Sequence, residues 1–376
     1  MPRILIVTGE ASGDLHGANL AAALRALRPD VDILGVGGPK LRAAGVRLVQ
    51  GIERLDVMGM IRLAELRVAL RNYATLARFL RRESFDAVVF VDNPGLNLRL
   101  ARVAKGAGHR VVYYIAPQIW AWRPGRIRLI SRVVDRMIVI LPFEEALYRQ
   151  AGVPCTFVGH PLLDAVAPSY DRAELRKRFG FKTSAPVVGL LPGSREREVR
   201  SLVPVMMEAA ARMARWHPGL QVVVAQASWI REGLIEELAA GGGLGVRVVC
   251  DQPNEVMAAS DLLLVASGTA TLQAAVIGTP MVITYRTSWI SYWLARLLIR
   301  VNWIGLVNIV AGRGIVPELV QHEATAERLS EEGHRLLRDE AALGGMRAAF
   351  RAVRDSLGSP GASRRAAEAV LKECRA

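Results

Sequence analysis

Short apolar runs alternate with helical patterns along the whole chain. Five β-branched runs occur in the first half and five in the second: 3–7, 31–36, 87–91, 110–115 and 137–141, then 187–191, 220–225, 246–250, 262–266 and 281–284. Such alternation is typical of α/β proteins in which helices cover both faces of a parallel sheet. The pattern predicts two doubly wound domains that face each other across a cleft.

The break between the two series predicts the domain boundary. Residues 161–175 carry prolines and no regular period, so we interpret them as a linker between a first domain, 1–165, and a second domain, 173–340. The tail has a helical pattern throughout. We expect 341–376 to form C-terminal helices that pack back on the first domain or on a partner subunit.

Composition narrows the class of protein. The chain has 376 residues, 51% of them hydrophobic, and a formal net charge of +14, which predicts a polyanionic partner such as nucleic acid, a phosphorylated substrate or anionic lipid. The N-terminus lacks the pattern of a signal peptide and no apolar run is long enough to span a bilayer, so we expect a cytoplasmic protein. The three cysteines are far apart and form no metal-binding pattern, so we predict no metal and no cofactor.

Two turns in the first domain are candidates for binding and catalysis. The glycine turn of VTGEASGD, with Glu10 and Ser12, leads from a strand into a helix and either presents backbone N–H groups to a ligand or is a plain turn capped by Ser12 or Asp14. Asp92 directly follows a five-residue apolar strand, at the edge where open α/β sheets bind ligands. A carboxylate there is suited to act as a general base towards a sugar hydroxyl, although turn chemistry also explains it.

The second domain repeats one arrangement twice: a buried strand, a small polar turn and a helix. The two turns consist of Gly193, Ser194 and Arg195, and of Ser267, Gly268 and Thr269. Free N–H groups at two helix starts, together with a guanidinium, suit a nucleoside diphosphate. The alternative is that Ser194 only caps its helix.

Two segments combine apolar and basic residues in a way that indicates a membrane surface. In the helix predicted over 60–83, a row of arginines separates the core stripe from a second apolar stripe of Ile61, Val68, Leu76 and Phe79. A deeply packed helix with a solvated arginine row explains the same pattern. Segment 288–305 mixes Trp289 and Trp293 with arginines, as is typical of a headgroup interface.

The motifs together carry a resemblance that runs nearly from end to end. GEASGD, GVGGP, PQIWAWR, FVGHPL, LLPGSR, ASGTAT and NIVAGR resemble the lipid-A-disaccharide synthases, inverting glycosyltransferases of GT-B fold with two Rossmann-like domains. The resemblance implies transfer of 2,3-diacylglucosamine from UDP to 2,3-diacylglucosamine 1-phosphate (lipid X), which gives a β-1,6-linked disaccharide on the way to lipid A of Gram-negative lipopolysaccharide. It also implies peripheral attachment to the anionic cytoplasmic face of the inner membrane.

The resemblance assigns roles residue by residue. It implies catalysis by Asp92 and Arg195, and donor binding by the two turns together with Gln273, Asn308 and Gln321. The acceptor residues that it implies are Glu10, Ser12, Met58, Gln118, Trp120, Trp122, Arg123 and Arg126. The chain departs from the family where it has Gly95 and Gln273 in place of acidic residues, and each tryptophan is equally explained as packing between the domains.

Two alternatives stay open from the sequence. A UDP-sugar epimerase shares the two-domain fold and the nucleotide site, and a non-catalytic membrane-binding or nucleic-acid-binding protein would depend on the basic charge alone. We expect no nucleic-acid partner, because no RNA-binding motif occurs in the chain. A homo-oligomer is compatible with the helical tail.

Overall fold

The computed structural model describes residues 1–49, 63–182, 184–240, 243–289, 292–293, 297 and 301–374, and the structural statements below concern these residues. The predicted site residues Met58 and Ile61 lie outside the described residues, and so does the side chain of Val68.

The chain divides into two compact units. The first comprises Met1–Asp164 and Leu357–Ala376, and the second comprises Ala165–Ser356. The strands are β1 (Arg3–Thr8), β2 (Asp32–Val36), β3 (Arg47–Leu48), β4 (Ala87–Val91), β5 (Arg110–Tyr114), β6 (Arg136–Val139), β7 (Cys155–Phe157), β8 (Val187–Leu191), β9 (Gln221–Gln226), β10 (Val246–Cys250), β11 (Leu262–Ala266), β12 (Met281–Tyr285) and β13 (Glu318–Val320).

Helices follow most of the strands. They are α1 (Ala11–Leu27), α2 (Pro39–Ala43), α3 (Leu63–Arg82), α4 (Pro94–Gly106), α5 (Ile127–Val133), α6 (Pro142–Gln150), α7 (Leu162–Ala165), α8 (Arg172–Arg178), α9 (Glu196–Trp216), α10 (Leu234–Ala239), α11 (Pro253–Ala259), α12 (Thr269–Ile277), α13 (Leu306–Ala311), α14 (Ala326–Arg338), α15 (Glu340–Ser356) and α16 (Ala362–Glu373).

The first unit is built on a seven-stranded parallel sheet in the order β3-β2-β1-β4-β5-β6-β7. Every residue of β4 is buried: Val88 and Phe90 face one core cluster, whereas Val89 and Val91 face the other. Side chains alternate across a strand, so an unbroken apolar run fits a strand that is covered on both faces. This is the doubly wound arrangement that the apolar runs predicted.

The second unit repeats the design with a six-stranded parallel sheet in the order β10-β9-β8-β11-β12-β13. Strands β8 and β11 lie side by side at its centre and are buried along their whole length. The strands that the sequence missed, β3, β7 and β13, each have two or three residues and lie at sheet edges. Segments this short are too brief to show a period.

Two predicted segments at the domain boundaries are corrected by the structure. The predicted linker 161–175 contains α7 and the start of α8, where the Asp171 carboxylate accepts the Glu174 N–H at 3.0 Å. The tail 341–376 does not pack as one block, because α15 belongs to the second unit and only α16 packs on the first. Helix α16 buries Ala366, Ala367 and Val370 in a core cluster of the first unit.

The predicted membrane stripe of α3 is also corrected. Leu76 is fully buried, and Phe79 packs against the same core cluster, so neither side chain presents an apolar face to a membrane. Leu76 and Leu80 are one helical turn apart and point to the same side. Leu70 on the same helix is 57% exposed.

Candidate functional site

The strand order of the first unit reverses between β1 and β4. Open α/β sheets typically bind ligands at the carboxyl ends of the strands at such a reversal. Strands β1 and β4 are neighbours, but the chain continues from β1 to one side of the sheet and from β4 to the other. The turns that follow them therefore leave a crevice at the carboxyl edge. The two turns touch closely: a Cβ added at Gly9 would lie 2.2 Å from Asn93 Nδ2, so this contact requires glycine.

Asp92 stands at this crevice in an unusual backbone conformation. Asp92 and Asn93 both have positive φ, 52° and 41°, which non-glycine residues rarely adopt. The Asp92 peptide is held on both sides, since its N–H donates to the Tyr114 carbonyl at 3.0 Å and its carbonyl accepts from the Tyr113 hydroxyl at 2.6 Å. Burial raises the pKa of the Asp92 carboxyl, and a hydrogen bond from the Asn93 backbone opposes the rise.

The stretch YYIAPQIWAWRPGR follows β5 and divides between core and surface. Tyr113 and Tyr114 are fully buried core residues. Trp120 is half-buried, lies edge-on to Phe143 at 5.2 Å, and donates its indole N–H to the buried Glu144 carboxyl at 3.0 Å. Trp120 is therefore fixed by packing and by one hydrogen bond, while Gln118 beside it is exposed.

Trp122 lies under two guanidinium groups. The Cζ atoms of Arg123 and Arg126 are 4.6 Å and 4.9 Å from the indole centroid, within cation–π range. Burial lowers the pKa of Arg126, and the neighbouring Arg123 cation lowers it further. Two cations held this close on an aromatic face suit a doubly charged anion such as a phosphate monoester.

The turn after β1 carries Glu10 and Ser12, and Asp14 caps a different helix from the one expected. Glu10 is half-buried at the start of α1, and Ser12 is exposed. Asp14 is buried, and its carboxylate accepts the N–H groups of Gly38 and Lys40 at 2.7 Å and 2.9 Å. Asp14 therefore caps α2 and ties the GEASGD turn to the GVGGP turn.

The second unit has the same kind of reversal between β8 and β11. The turn after β8 contains Gly193, with φ of 103°, where a Cβ would lie 2.4 Å from Glu198 Oε2. Ser194 and Arg195 are exposed, and the Arg195 guanidinium pairs with Glu198 at 3.0 Å. The glycine allows the turn to close on Glu198, which then positions the arginine.

The turn after β11 faces the same edge. Gly268 adopts φ 154° and ψ −162°, and Thr269 is exposed at the first position of α12. The Ser267 hydroxyl donates to the Ile304 carbonyl at 2.7 Å, so this side chain has a structural partner. Two helix starts, α9 and α12, thus follow adjacent strands, as the sequence predicted.

The three amide side chains that the resemblance assigned to the donor all have internal partners. Asn308 is fully buried: its Nδ2 donates to Val316 O and Glu318 Oε1 at 3.0 Å and 2.8 Å, and its Oδ1 accepts the N–H groups of Ile315 and Val316. All four hydrogen-bonding positions of this amide are occupied. Asn308 thus shapes the loop before β13, and a side-chain contact to the donor would require the exchange of one of these bonds, so its donor role stays a prediction.

The other two amides have related roles. Gln273 donates its side-chain amide to Asn254 Oδ1. Gln321, with φ of 58°, accepts the Thr287 N–H at 3.1 Å and donates to the Thr287 carbonyl at 2.7 Å, which joins the ends of β12 and β13. Each keeps part of its hydrogen-bonding capacity, so its donor role stays a prediction.

Sequence analysis assigned no role to one residue that lies beside the turn after β8. Trp229 is 71% exposed, yet its indole N–H donates to the Ser194 carbonyl at 2.7 Å. An exposed tryptophan held against the turn after β8 offers a flat apolar surface there. The only signal in the sequence is a single tryptophan after a predicted strand, which is too weak to assign a role.

A separate exposed apolar face lies after β12. Trp289, Trp293 and Leu297 are 57%, 60% and 81% exposed and are spaced four residues apart. Within the described ranges, no helix is long and apolar enough to cross a membrane, and no group of three or more His, Cys, Asp or Glu residues could hold a metal ion.

Comparison with known proteins decides the family. The family model described as lipid-A-disaccharide synthetase matches residues 4–371. The chain belongs to the lipid-A-disaccharide synthase family. Relatives with the name lipid-A-disaccharide synthase occur in Geobacter metallireducens, 46% identical over 371 residues that cover 98% of this chain and 97% of the relative, and in Myxococcus xanthus, 46% identical over 373 residues with 99% and 97% covered.

Solved structures of other proteins share the fold at low identity. The UDP-GlcNAc 2-epimerase of Neisseria meningitidis, solved with UDP-GlcNAc, has a TM-score of 0.64 and 13% identity over 98% of this chain and all of that one. MurG of Acinetobacter baumannii has a TM-score of 0.61 and 14% identity over 99% and 100% of the two chains. The likeness shows the GT-B fold that the sequence predicted.

Family membership confirms the predicted enzyme class. The chain is a hexosyltransferase that makes the lipid A disaccharide from a UDP-sugar donor and a lipid acceptor. The epimerase and the non-catalytic binding protein were the wrong alternatives, because full-length relatives at 43–46% identity are synthases. The epimerase likeness is one of fold only.

Proposed function

We propose that the first unit binds the acceptor and the second unit binds the donor for one inverting displacement. The donor is UDP-2,3-diacylglucosamine and the acceptor is 2,3-diacylglucosamine 1-phosphate. The observation that carries the proposal is the half-buried Asp92, whose carboxyl pKa is raised by burial, at the strand-order reversal of a unit that also holds two arginines on Trp122. A base and an anion site in one unit match an acceptor that has a hydroxyl and a phosphate.

In the proposed step, Asp92 removes the proton from the acceptor 6-hydroxyl. The oxygen forms a bond to the anomeric carbon of the donor while the bond from that carbon to the diphosphate oxygen breaks, and the electron pair leaves with UDP. A single displacement inverts the anomeric centre and gives the β-1,6 linkage. Positioned bases contribute about 10²–10⁴-fold to such steps.

The acceptor phosphate is proposed to bind Arg123 and Arg126. Trp122 orients both guanidiniums, and the half-buried site strengthens their attraction for a phosphate. Gln118, Trp120, Glu10 and Ser12 would then contact the sugar. Trp120 suits this role because Glu144 and Phe143 fix its ring.

The donor diphosphate is proposed to lie at the starts of α9 and α12. The free N–H groups at the two helix starts and the Arg195 guanidinium stabilise the negative charge that grows on UDP as the bond breaks. Gly193 allows the backbone to approach closely. The exposed ring of Trp229 gives the donor a planar contact beside Ser194.

The acyl chains of both substrates require access from a bilayer. We propose that Trp289, Trp293 and Leu297 insert into the anionic cytoplasmic face of the inner membrane, since they form an exposed apolar face in a basic chain. Attachment is thus peripheral. A homo-oligomer stays a prediction.

The test is a product assay on the purified chain and on Asp92→Asn. With both substrates in dilute detergent, we expect tetraacyl-disaccharide phosphate and UDP by mass spectrometry, and about 10²–10⁴-fold slower turnover in the variant. The raised pKa of Asp92 also predicts that wild-type kcat/KM falls as the pH drops through that pKa, because the protonated carboxyl is no base.

Asn93→Ala is the matched control, because it changes the neighbouring side chain and keeps the carboxyl. Wild-type turnover in Asp92→Asn would remove Asp92 from the chemistry. Conversion of the UDP-sugar without acceptor would instead contradict the transferase reaction.

A further inference from the structure

A cavity of about 210 Å³ lies in the second unit, away from the donor turns. Its lining includes Ser260, two residues before β11, and Pro280, directly before β12. The donor turns follow the opposite, carboxyl ends of β8 and β11, so the cavity lies at the other edge of the same sheet. One water needs about 10–15 Å³ of such space, so a phosphate group with its hydration fits.

The cavity has a strongly one-sided charge. Three arginines line it, Arg172, Arg347 and Arg354, and its lining contains no carboxylate. Asp261 is engaged by Arg172 at 2.6 Å and by Arg176 at 2.5 Å, so one carboxylate already faces two guanidiniums. Within the described chain, neither Arg347 nor Arg354 forms an ion pair with a carboxylate that would neutralise its charge.

Several donors around the cavity have no acceptor. The Arg172 Nε–H is buried without a hydrogen-bond partner, and Arg347 has neither a hydrogen bond nor an ion pair among the described residues. Arg354 makes one long bond, 3.3 Å, to the Val276 carbonyl. Buried donors in native proteins almost always have a partner, so the buried Arg172 Nε–H at the cavity indicates a missing acceptor. Arg347 is half-buried and Arg354 is exposed, so an anion from solvent can reach both guanidiniums.

The cavity also touches both connections between the units. Its residues Ala167, Pro168, Ser169 and Tyr170 come just after the first crossing at Asp164, and Arg354 comes just before the second crossing at Leu357. Arg347 and Arg354 are two turns apart on α15 and share one face. An occupant would therefore contact both chain segments that lead into the first unit.

We propose that this cavity binds a phosphate group, free or carried by a lipid head group, and that its occupant holds the two connecting segments together. Guanidinium groups bind phosphate through paired, charge-assisted hydrogen bonds. Burial lowers the pKa of Arg172, the Asp261 carboxylate opposes this, and the cations of Arg176 and Arg347 lower the pKa further. An anion between Arg172 and Arg347 would reduce the repulsion between these two cations. The site is independent of the transferase proposal.

The test is hydrogen exchange of the full chain in potassium phosphate against potassium chloride at equal ionic strength. We expect saturable, phosphate-dependent protection of peptides over 165–172 and 346–356. Binding at the donor turns would instead protect 193–200 and 267–272. Arg347→Gln should weaken the apparent phosphate affinity about tenfold or more, as loss of a charged hydrogen bond predicts.

Arg351→Gln is the matched control, because Arg351 is exposed on the same helix and does not line the cavity. Arg347→Lys keeps the charge and should bind with intermediate affinity. The proposal fails if the peptides over 165–172 and 346–356 show no phosphate-dependent protection in the wild type. It also fails if Arg347→Gln and Arg351→Gln bind phosphate equally well.

The two phosphate sources are distinguished by ligand. Glycerol 3-phosphate and phosphatidylcholine vesicles with phosphatidic acid present the same monoester in solution and on a membrane. Protection by both indicates a site for free phosphates, and protection by the vesicles alone indicates a head-group site. Protection by neither, even where inorganic phosphate protects, would limit the site to an adventitious ion only and overturn the proposal.

Discussion

Backbone strain marks the candidate site at the scale of single residues. Six non-glycine residues in the described chain have positive φ, and three of them are predicted site residues: Asp92, Arg123 and Gln321. Such conformations cost about 1–3 kcal/mol each and persist where surrounding contacts impose them. The sequence made these three residues candidates but gave no sign that their backbones are constrained.

Arg195 gives a prediction at this scale. We expect Arg195→Lys to lower kcat/KM by about 10- to 100-fold, because lysine keeps the charge but loses the planar fork that can bind two phosphate oxygens. The measurement is the steady-state rate with varied UDP-sugar. Arg197→Lys, next along α9, is the matched control, and an equal loss in both variants would contradict a specific role for Arg195.

At the scale of secondary-structure elements, a buried carboxyl in the first turn of α6 has a pH-dependent effect on stability. Glu144 accepts the indole N–H of Trp120 and the backbone N–H of Leu141, and burial raises its pKa to about 7. The folded pKa lies above the ordinary value of 4.5, so the stabilising contribution is complete below pH 4.5. It is lost as the pH rises towards 7.

The consequence is a pH-dependent stability difference. Glu144→Gln cannot ionise, so its stability relative to the wild type should improve by up to about 3 kcal/mol between pH 4.5 and pH 8. Urea unfolding at both pH values measures this. Trp120→Phe keeps the carboxyl but removes an N–H that lowers the pKa of Glu144, so its pH dependence should persist and move to higher pH. The same pH dependence in Glu144→Gln and the wild type would show that this carboxyl does not titrate in this range.

The exposed face after β12 gives the second element-scale prediction. Trp289→Ser with Trp293→Ser should weaken binding to phosphatidylglycerol-containing vesicles by about tenfold or more, because each large apolar side chain contributes about 1.5–3 kcal/mol on burial. Vesicle co-sedimentation measures it. Trp229→Ser removes an equally exposed indole elsewhere and should bind vesicles like the wild type. Equal loss in both would argue against a specific membrane face.

At the scale of the whole molecule, the FVGHPL motif and the residues just after it hydrogen-bond to the C-terminal segment of the chain. The His160 N–H donates to the Leu357 carbonyl at 2.9 Å, and Arg365 Nε donates to the Val158 carbonyl at 2.8 Å. The Asp164 carboxylate accepts the Gly361 N–H at 2.5 Å, at the start of α16. The motif therefore completes the first unit with residues from the C-terminus.

This arrangement predicts a unit-specific loss of stability. Val370→Asp places an unpaired charge in the core of the first unit, which costs several kcal/mol. Hydrogen exchange should show faster exchange in β1 and β4 and unchanged exchange in β8 and β11. Lys372→Asp, exposed on the same helix, is the control and should leave both units unchanged. Equal loss of protection in both units would mean that α16 supports the whole chain.

The sequence by itself determined the sheets and the turns that carry the candidate site residues. All ten predicted strands are present. The central ones are continuous apolar runs because they are buried on both faces, whereas β10 at a sheet edge is partly exposed. Asp92 and the two glycine turns follow those strands directly, so their position at the carboxyl edges is a local property of the chain.

Only the tertiary structure decided what each side chain does there. Asn308 and Asp14 are polar residues in candidate motifs, yet each hydrogen-bonds within the protein. Their partners come from other segments of the chain that no periodicity reveals. Leu76 lies in the core, because the sheet, and not the helical pattern alone, selects the buried face of α3. Helix α16 joins the first unit for the same reason: packing between segments far apart in sequence sets which surfaces are buried.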